Sequence, residues 1–189
     1  YSFTQQGSQF IEKNFGKNTL DTWYELRGEP RSEVIEEHGE QKSFQSTRSF
    51  GMSTKERSFL FSELCTNTEV LCARLRQHKL KTDRVSFFLK KNTLIDKYLS
   101  TELDIGFYTD NPSDLLSRIR IAFDELYDDP ENFGLQYKAT GVSIYRLKPH
   151  EAIQDDLFAS QSGKDTQNSY MDAIDTLHKR FGDGSIHLC

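Results

Sequence analysis

The sequence predicts an α+β fold in which segments follow the order β-α-β-β-α-β. Two observations lead to it: two long segments carry apolar residues on a helical stripe, and four shorter segments have strand-like composition or alternation. Two amphipathic helices need a sheet to bury their stripes, so we expect both helices to cover one face of a four-stranded sheet. The other face should then be open.

The first strand and helix come after a polar start. Residues 41–51 are rich in Ser, Thr and Phe and end at Gly51, which indicates a strand. Residues 58–78 form the first predicted helix, with a buried stripe of Leu64, Thr68, Leu71 and Leu75.

The two middle strands alternate. In residues 82–91, Val85, Phe87 and Leu89 occupy one face, and the other face carries Arg84, Ser86, Phe88 and Lys90. Residues 98–109 alternate through Leu103, Ile105 and Phe107.

The second helix has a clear start signal. Asn111 is a predicted N-cap, and Pro112 suits the first turn of a helix over 112–128. A last strand is predicted over 136–147, with Gly141 at its centre.

The segments on either side of this module are predicted as separate parts. Residues 1–28 carry one helical pattern, over 9–27, and read as the end of a helical subdomain, whereas 29–40 has linker composition. The module itself spans 41–151. Residues 152–167 form a polar connection, and 168–189 should hold a short helix and a brief strand.

Composition narrows the function classes. No apolar run is long enough for a membrane span, and three cysteines without framework spacing favour a reducing, cytoplasmic setting. Cys65 and Cys72 fit a buried pair better than a metal site, and the histidines lack ligand spacing. The net charge is −5, but the acidic side chains concentrate at both ends around a slightly basic centre, so phosphate binding is not excluded.

The open face is the first candidate site. Arg84, Ser86, Lys90 and Lys138 should lie on it, together with polar residues of the first strand. Such a surface can contact phosphates without reading bases. Phe88 could stack a base there, although covering apolar surface is the more ordinary role.

The second candidate site is the peptide QDDLF at residues 154–158. Gln154 could orient an extended peptide by hydrogen bonding while Leu157 and Phe158 fill an apolar pocket. Bacterial DNA-metabolism enzymes are tethered to the ring-shaped sliding clamp by peptides of this type. The alternative is that Leu157 and Phe158 only pin the chain to its own domain.

Several segments in register resemble the C-terminal part of Y-family translesion DNA polymerases of the DinB/UmuC type, nearest UmuC. They are WYELRG at 23–28, KSFQSTRSFG at 42–51, YKATGVSIYRL at 137–147, the QDDLF peptide, and MDAIDTLHKRFGDGSI at 171–186. The resemblance covers nearly the whole chain. It implies the end of a thumb domain, then a little finger domain, a clamp-binding peptide and a C-terminal tail.

The resemblance also implies residue roles. By position, Lys42, Ser43, Ser46 and Arg48 would lie on a DNA-facing first strand, and Lys138 would meet backbone phosphate. Gln154, Leu157 and Phe158 would bind the sliding clamp, with Asp155 standing where an apolar residue is common. The tail could contact accessory proteins of the SOS response.

No set of acidic residues here suits two-metal nucleotidyl transfer. The family's catalytic palm precedes the thumb, and this chain begins within the thumb, so we expect a fragment without catalysis or cofactor, whose parent polymerase needs Mg²⁺. Two alternatives stay open. One is a free-standing RNA-binding module of ferredoxin-like fold, and the other is a module whose sheet contacts protein.

Overall fold

A computed structural model describes residues 2–31, 41–93, 97–153, 170–171, 173–177 and 180–182. The chain divides into two compact units, Tyr1–Glu40 and Gln41–Cys189. Each unit has its own buried residues and is described separately.

The first unit is a pair of helices, α1 (Ser8–Phe15) and α2 (Lys17–Leu26). The helical pattern over 9–27 is divided between these two helices, because Gly16 between them adopts φ 82° and ψ 175° and interrupts the hydrogen bonding. Ile11 and Trp23 are buried. The Arg27 guanidinium lies 4.6 Å from the centroid of the Trp23 ring, and cation–π attraction adds to this small core.

The second unit has the predicted α+β fold. Its elements in chain order are β1 (Ser43–Thr54), α3 (Arg57–Gln77), β2 (Leu80–Lys91), β3 (Tyr98–Thr109), α4 (Pro112–Asp128), β4 (Tyr137–Tyr145) and β5 (Lys148–Pro149), with single 3-10 turns at Pro130–Asn132 and His150–Ala152. The antiparallel sheet has the order β1-β4-β2-β3. The short fifth strand, absent from the prediction, pairs with the start of β2.

The core lies between the sheet and the two long helices, as expected. The α3 stripe is buried through Leu64, Leu71 and Leu75, and α4 adds Leu115, Ile119 and Phe123. The sheet contributes Val85, Phe87, Leu89, Val142 and Ile144. The sheet face opposite this core is left without a helix in the described part of the unit.

Of two local sequence patterns, the α4 cap is present as predicted and the β3 alternation is interrupted. The Asn111 side chain accepts a hydrogen bond from the Ser113 backbone N–H at 3.0 Å, which confirms the predicted cap of α4. In contrast, Phe107 is 53% exposed, although the alternation of β3 places it with the core residues. Gly106 has φ 88°. Between the pairs Arg84–Asp104 and Thr82–Thr109, β2 has one residue and β3 has four, so β3 bulges and its alternation between the two faces changes there.

Within the second unit, a helical segment of the tail packs near the end of α3. Residues 170–171, 173–177 and 180–181 are helical, and Met171 and Ile174 are buried. The Asp175 carboxylate accepts two hydrogen bonds from Arg76 at the end of α3, at 2.7 and 2.6 Å. Burial alone would lower the pKa of Arg76, but the hydrogen bonds to Asp175 and the attraction of the nearby charges of Asp175 and Asp110 together raise that pKa.

Cys65 and Cys72 are both buried in α3, as the sequence predicts. Burial raises the pKa of the Cys72 thiol far above its ordinary range. A thiol in that environment behaves as a small apolar side chain.

Candidate nucleic-acid interface

The open face of the sheet is a four-by-four array of side chains, here called the grid. The cross-strand register places its rows as Ser43–Tyr145–Arg84–Asp104, Gln45–Ser143–Ser86–Glu102, Thr47–Gly141–Phe88–Ser100 and Ser49–Ala139–Lys90–Tyr98. Each row crosses β1, β4, β2 and β3 in that order. The outer columns are exposed, whereas Ala139, Gly141 and Ser143 of β4 are covered by their neighbours.

Gly141 and Phe88 form the centre of the grid. A Cβ atom on Gly141 would stand 2.5 Å from Cε1 of Phe88 and 2.8 Å from the Thr47 hydroxyl. The missing side chain therefore lets the Phe88 ring lie against the β4 backbone. Phe88 also meets Tyr98 edge to face, with ring centroids 5.4 Å apart.

One end of the grid carries a net negative charge, because two carboxylates flank a single arginine. Arg84 was predicted as a phosphate contact, and it does lie on the open face. Its guanidinium, however, pairs with Glu102 at 3.1 Å and with Asp104 at 2.8 Å. Ser86 is also engaged, since its hydroxyl is 3.0 Å from that of Tyr145. The two carboxylates of β3 repel phosphate, so this end is poorly suited to a nucleic-acid backbone.

The opposite end of the grid is basic and aromatic. Lys90 places its ammonium 5.3 Å from the centroid of the Tyr98 ring. Lys138 lies beside this row at a bulge, because both ladders pass from Ala139 to Tyr137 and skip it. Positive charge therefore gathers where β2 ends and β4 begins.

The predicted residues of β1 divide between the two sheet faces. Ser43 belongs to the grid, and Lys42 immediately precedes the strand. Ser46 and Arg48, expected on a DNA-facing first strand, point to the helix side of β1 and are not part of the grid. The Ser46 hydroxyl donates to Asn67 Oδ1 at 2.7 Å, and Arg48 pairs with Glu63 at 3.3 Å. The cause is strand alternation: Ser43 and Gln45 take one face, Ser46 and Arg48 the other.

Arg48 nevertheless remains accessible at the border of the sheet. Its side chain is 63% exposed, and β1 is an outer strand. Nearby, Arg74 of α3 donates to the Gln45 carbonyl oxygen at 3.5 Å. We call Lys42, Gln45, Arg48 and Arg74 the β1 edge. The sequence analysis did not include Arg74. Its position beside the buried α3 stripe, between Leu71 and Leu75, could have indicated that it lies close to the sheet.

The other candidate residues have no described structure. Gln154, Leu157 and Phe158 lie outside the described residues, as does the strand predicted over 185–188. Within the described parts of the chain, no group of three or more His, Cys, Asp and Glu side chains could hold a metal ion. The helices found there are also too short or too polar to cross a membrane.

A family comparison decides the relationship of this chain. Residues 41–157 match the model of the impB/mucB/samB family C-terminal domain, which is more than half of the chain. The chain belongs to the impB/mucB/samB family. The match includes β1 to β5 and so contains the whole grid. It confirms the predicted resemblance to the C-terminal part of a Y-family DNA polymerase. No curated protein matches this chain.

Several solved structures are distant matches to this family member. A Y-family DNA polymerase chimera of Dbh and Dpo4 is 13% identical, with a TM-score of 0.47 over 78% of this chain and 40% of that chain. A post-insertion binary complex of Dbh DNA polymerase is 12% identical, with a TM-score of 0.48 over 78% and 41%. DinB from Sulfolobus solfataricus is 13% identical, with a TM-score of 0.43 over 76% and 40%. The chain thus spans about two-fifths of the length of these polymerases.

Proposed function

We propose that this chain is the DNA-binding and clamp-binding part of an error-prone translesion polymerase. The observation that carries the proposal is the uncovered grid, bordered by the β1 edge, within a domain of the impB/mucB/samB family. Catalysis would belong to a palm domain elsewhere in the parent protein, with Mg²⁺ as its cofactor. Action in DNA repair and the SOS response is part of the same proposal.

The charge distribution favours one path for the DNA backbone. The β1 half of the grid carries only small, hydroxyl or amide side chains apart from Tyr145, and Lys42, Arg48 and Arg74 lie along its border. A phosphate chain could follow this border without desolvating a carboxylate of the grid. The β3 half is unsuitable near Glu102 and Asp104, which face solvent beside Arg84.

This interface would bind without reading sequence. Hydroxyls, backbone amides and arginines contact phosphates, which are the same at every base pair. A polymerase that accepts damaged templates benefits from this indifference, because its grip does not depend on the chemistry of the base. Such binding is dominated by counterion release and weakens steeply with salt.

Duplex binding is tested by fluorescence anisotropy over a salt series. Arg48→Gln and Arg74→Gln should each lower affinity equally for unrelated duplexes and reduce the slope of log K against log salt by about 0.9. Arg118→Gln is the matched control, since Arg118 is exposed on α4, in the layer opposite the grid. Equal loss in all three variants, or no loss in either β1-edge variant, would contradict the proposed path.

Clamp binding rests on sequence alone. Gln154, Leu157 and Phe158 have the composition of a peptide that enters an apolar groove, as described above. A second tether to a ring around DNA raises the effective concentration of a weakly bound polymerase without new DNA contacts.

A clamp-binding assay separates this part of the proposal. Joint replacement Leu157→Ala and Phe158→Ala should abolish binding to a bacterial sliding clamp and leave duplex affinity unchanged. Phe133→Ala is the matched control, because Phe133 is 91% exposed and also loses a large apolar surface. Clamp affinity that survives the double replacement would exclude these residues as the tether.

A further inference from the structure

The basic and aromatic end of the grid has a chemistry that duplex phosphate binding does not require. Tyr98 is 52% exposed, Phe88 adjoins it at 5.4 Å between centroids, and Lys90 stands over the Tyr98 ring at 5.3 Å. A surface for phosphates alone needs cations and hydrogen-bond donors. The two ring planes are nearly perpendicular, at 77°, so a nucleobase that stacks on the face of one ring meets the edge of the other.

We propose that Phe88, Tyr98 and Lys90 form a subsite for an unpaired nucleotide of single-stranded DNA next to a duplex. The inference rests on the proposed function, because it assumes that the grid meets DNA. In this subsite the base stacks on the face of one of the two rings and meets the edge of the other, and the Lys90 ammonium meets the phosphate of the same or the adjoining nucleotide.

The surroundings keep this subsite accessible. Gly141, Ala139, Ser86 and Ser100 are its grid neighbours, and none has a side chain large enough to cover the rings. Gly141 in particular cannot carry a Cβ without displacing Phe88. The same strands thus place two large rings among the smallest residues of the grid, which leaves a shallow platform.

The charges along β2 and β3 favour DNA at the end of the grid that holds the subsite. Glu102 and Asp104 stand at the far end of the grid, whereas Lys90 and the bulge residue Lys138 mark this end. A DNA strand crossing the open face is therefore repelled at one end and attracted at the other. Single-stranded DNA can follow such a path because its bases are free to leave the helical stack.

The chain supplies a matched control for the aromatic contact. Tyr108 is a second tyrosine of β3 and also pairs with a lysine, since Lys148 stands 4.6 Å from its ring centroid. Tyr108 is not part of the grid. Its replacement removes a comparable ring and a comparable cation–π contact without touching the subsite.

The test compares binding to a blunt duplex and to the same duplex with a single-stranded overhang, at constant salt, using the full chain. The unaltered chain should bind the overhang DNA more tightly. Phe88→Leu with Tyr98→Leu should lower that affinity about fivefold or more and leave blunt-duplex affinity unchanged, following the size of base-stacking effects. Tyr108→Leu should change neither. Lys90→Gln should reduce the salt slope for overhang DNA by about 0.7.

The outcomes distinguish this inference from the proposed function. Blunt-duplex binding with no preference for the overhang, or with no effect of the Phe88 and Tyr98 replacements, overturns the subsite and leaves duplex binding intact. Failure of the unaltered chain to bind any DNA overturns both. Tighter binding to a single-stranded RNA of the same sequence would assign the aromatic pair to RNA and also overturn the proposal.

Discussion

Replacement of Gly141 by alanine tests the packing at the centre of the grid. The added Cβ would lie 2.5 and 2.8 Å from Cε1 and Cζ of Phe88. Carbon atoms in contact prefer about 3.5–4.0 Å, so the ring would have to move by about 1 Å or more. The open face gives it room to move, but the shift disturbs its edge-to-face contact with Tyr98.

Two opposing terms set the expected magnitude. Overpacking costs about 1–3 kcal/mol, whereas replacing a strand glycine by alanine contributes up to about 0.5–1 kcal/mol through lower backbone entropy in the unfolded chain. Gly141 is not among the glycines with positive φ, so alanine suffers no backbone strain. We expect Gly141→Ala to lower the free energy of unfolding by about 0.5–2 kcal/mol.

A double-mutant cycle isolates the cause. With Phe88→Ala already present the ring is gone and only the close approach to the Thr47 hydroxyl at 2.8 Å remains, so Gly141→Ala should be less destabilising, with a coupling of about 1 kcal/mol. Gly51→Ala is the control, since a Cβ on Gly51 of β1 meets nothing within 4 Å. Urea unfolding followed by far-UV circular dichroism reports the sheet, whereas Trp23, the one tryptophan, lies in the first unit. Equal effects of Gly141→Ala in both backgrounds would refute contact with the Phe88 ring.

Three further predictions concern the helix layer and the tail. Asp175→Asn should weaken the pairing with Arg76 by about 1.5–3 kcal/mol and speed amide exchange in helical residues 170–171 and 173–177 but not in α4; unchanged exchange would exclude the pairing as an anchor. The hydrogen bond from Arg57 is the main cause that lowers the pKa of Asp124 below its ordinary 3.8. The Arg57–Asp124 pair therefore stabilises the fold fully at neutral pH, and this stabilisation declines as pH falls from about 4 through the lower folded-state pKa. The free energy of unfolding of Arg57→Gln should therefore be lower than that of the unaltered chain at neutral pH, and the difference should shrink on acidification. A difference that stays constant with pH, measured by urea titration, would argue against this pairing. Burial of the Cys72 thiol should keep it unlabelled by iodoacetamide at pH 8 until urea unfolds the chain, as read by peptide mass mapping, and rapid native labelling would contradict the buried position.

Periodicity was sufficient to predict most elements of the second unit. The helix stripe through Leu64, Leu71 and Leu75, and the alternation around Val85, Phe87 and Leu89, follow from the repeat lengths of helix and strand. Asn111 and Pro112 fixed the start of α4 because their capping chemistry is local. Gly16 was harder to interpret, since a glycine inside a helical pattern can either be tolerated or break the helix.

The tertiary structure decided what the side chains of the candidate site contact. Arg84 and Lys90 alternate correctly with the core residues in the sequence, yet only pairing of β2 with β3 sets Glu102 and Asp104 beside Arg84 and Tyr98 beside Lys90. Register depends on contacts between segments far apart in sequence, which no local pattern contains.

For this protein the order of residues determined the helices, the strands and the existence of one polar sheet face, because each follows from spacing along the chain. Which charges on that face are neutralised was decided only when the strands paired. The tertiary structure also decided the contacts of Ser46 with Asn67 and of Arg48 with Glu63, and the approach of Arg74 to β1. The physical reason is that electrostatic and packing energies depend on distances between side chains, and folding alone brings distant segments into contact.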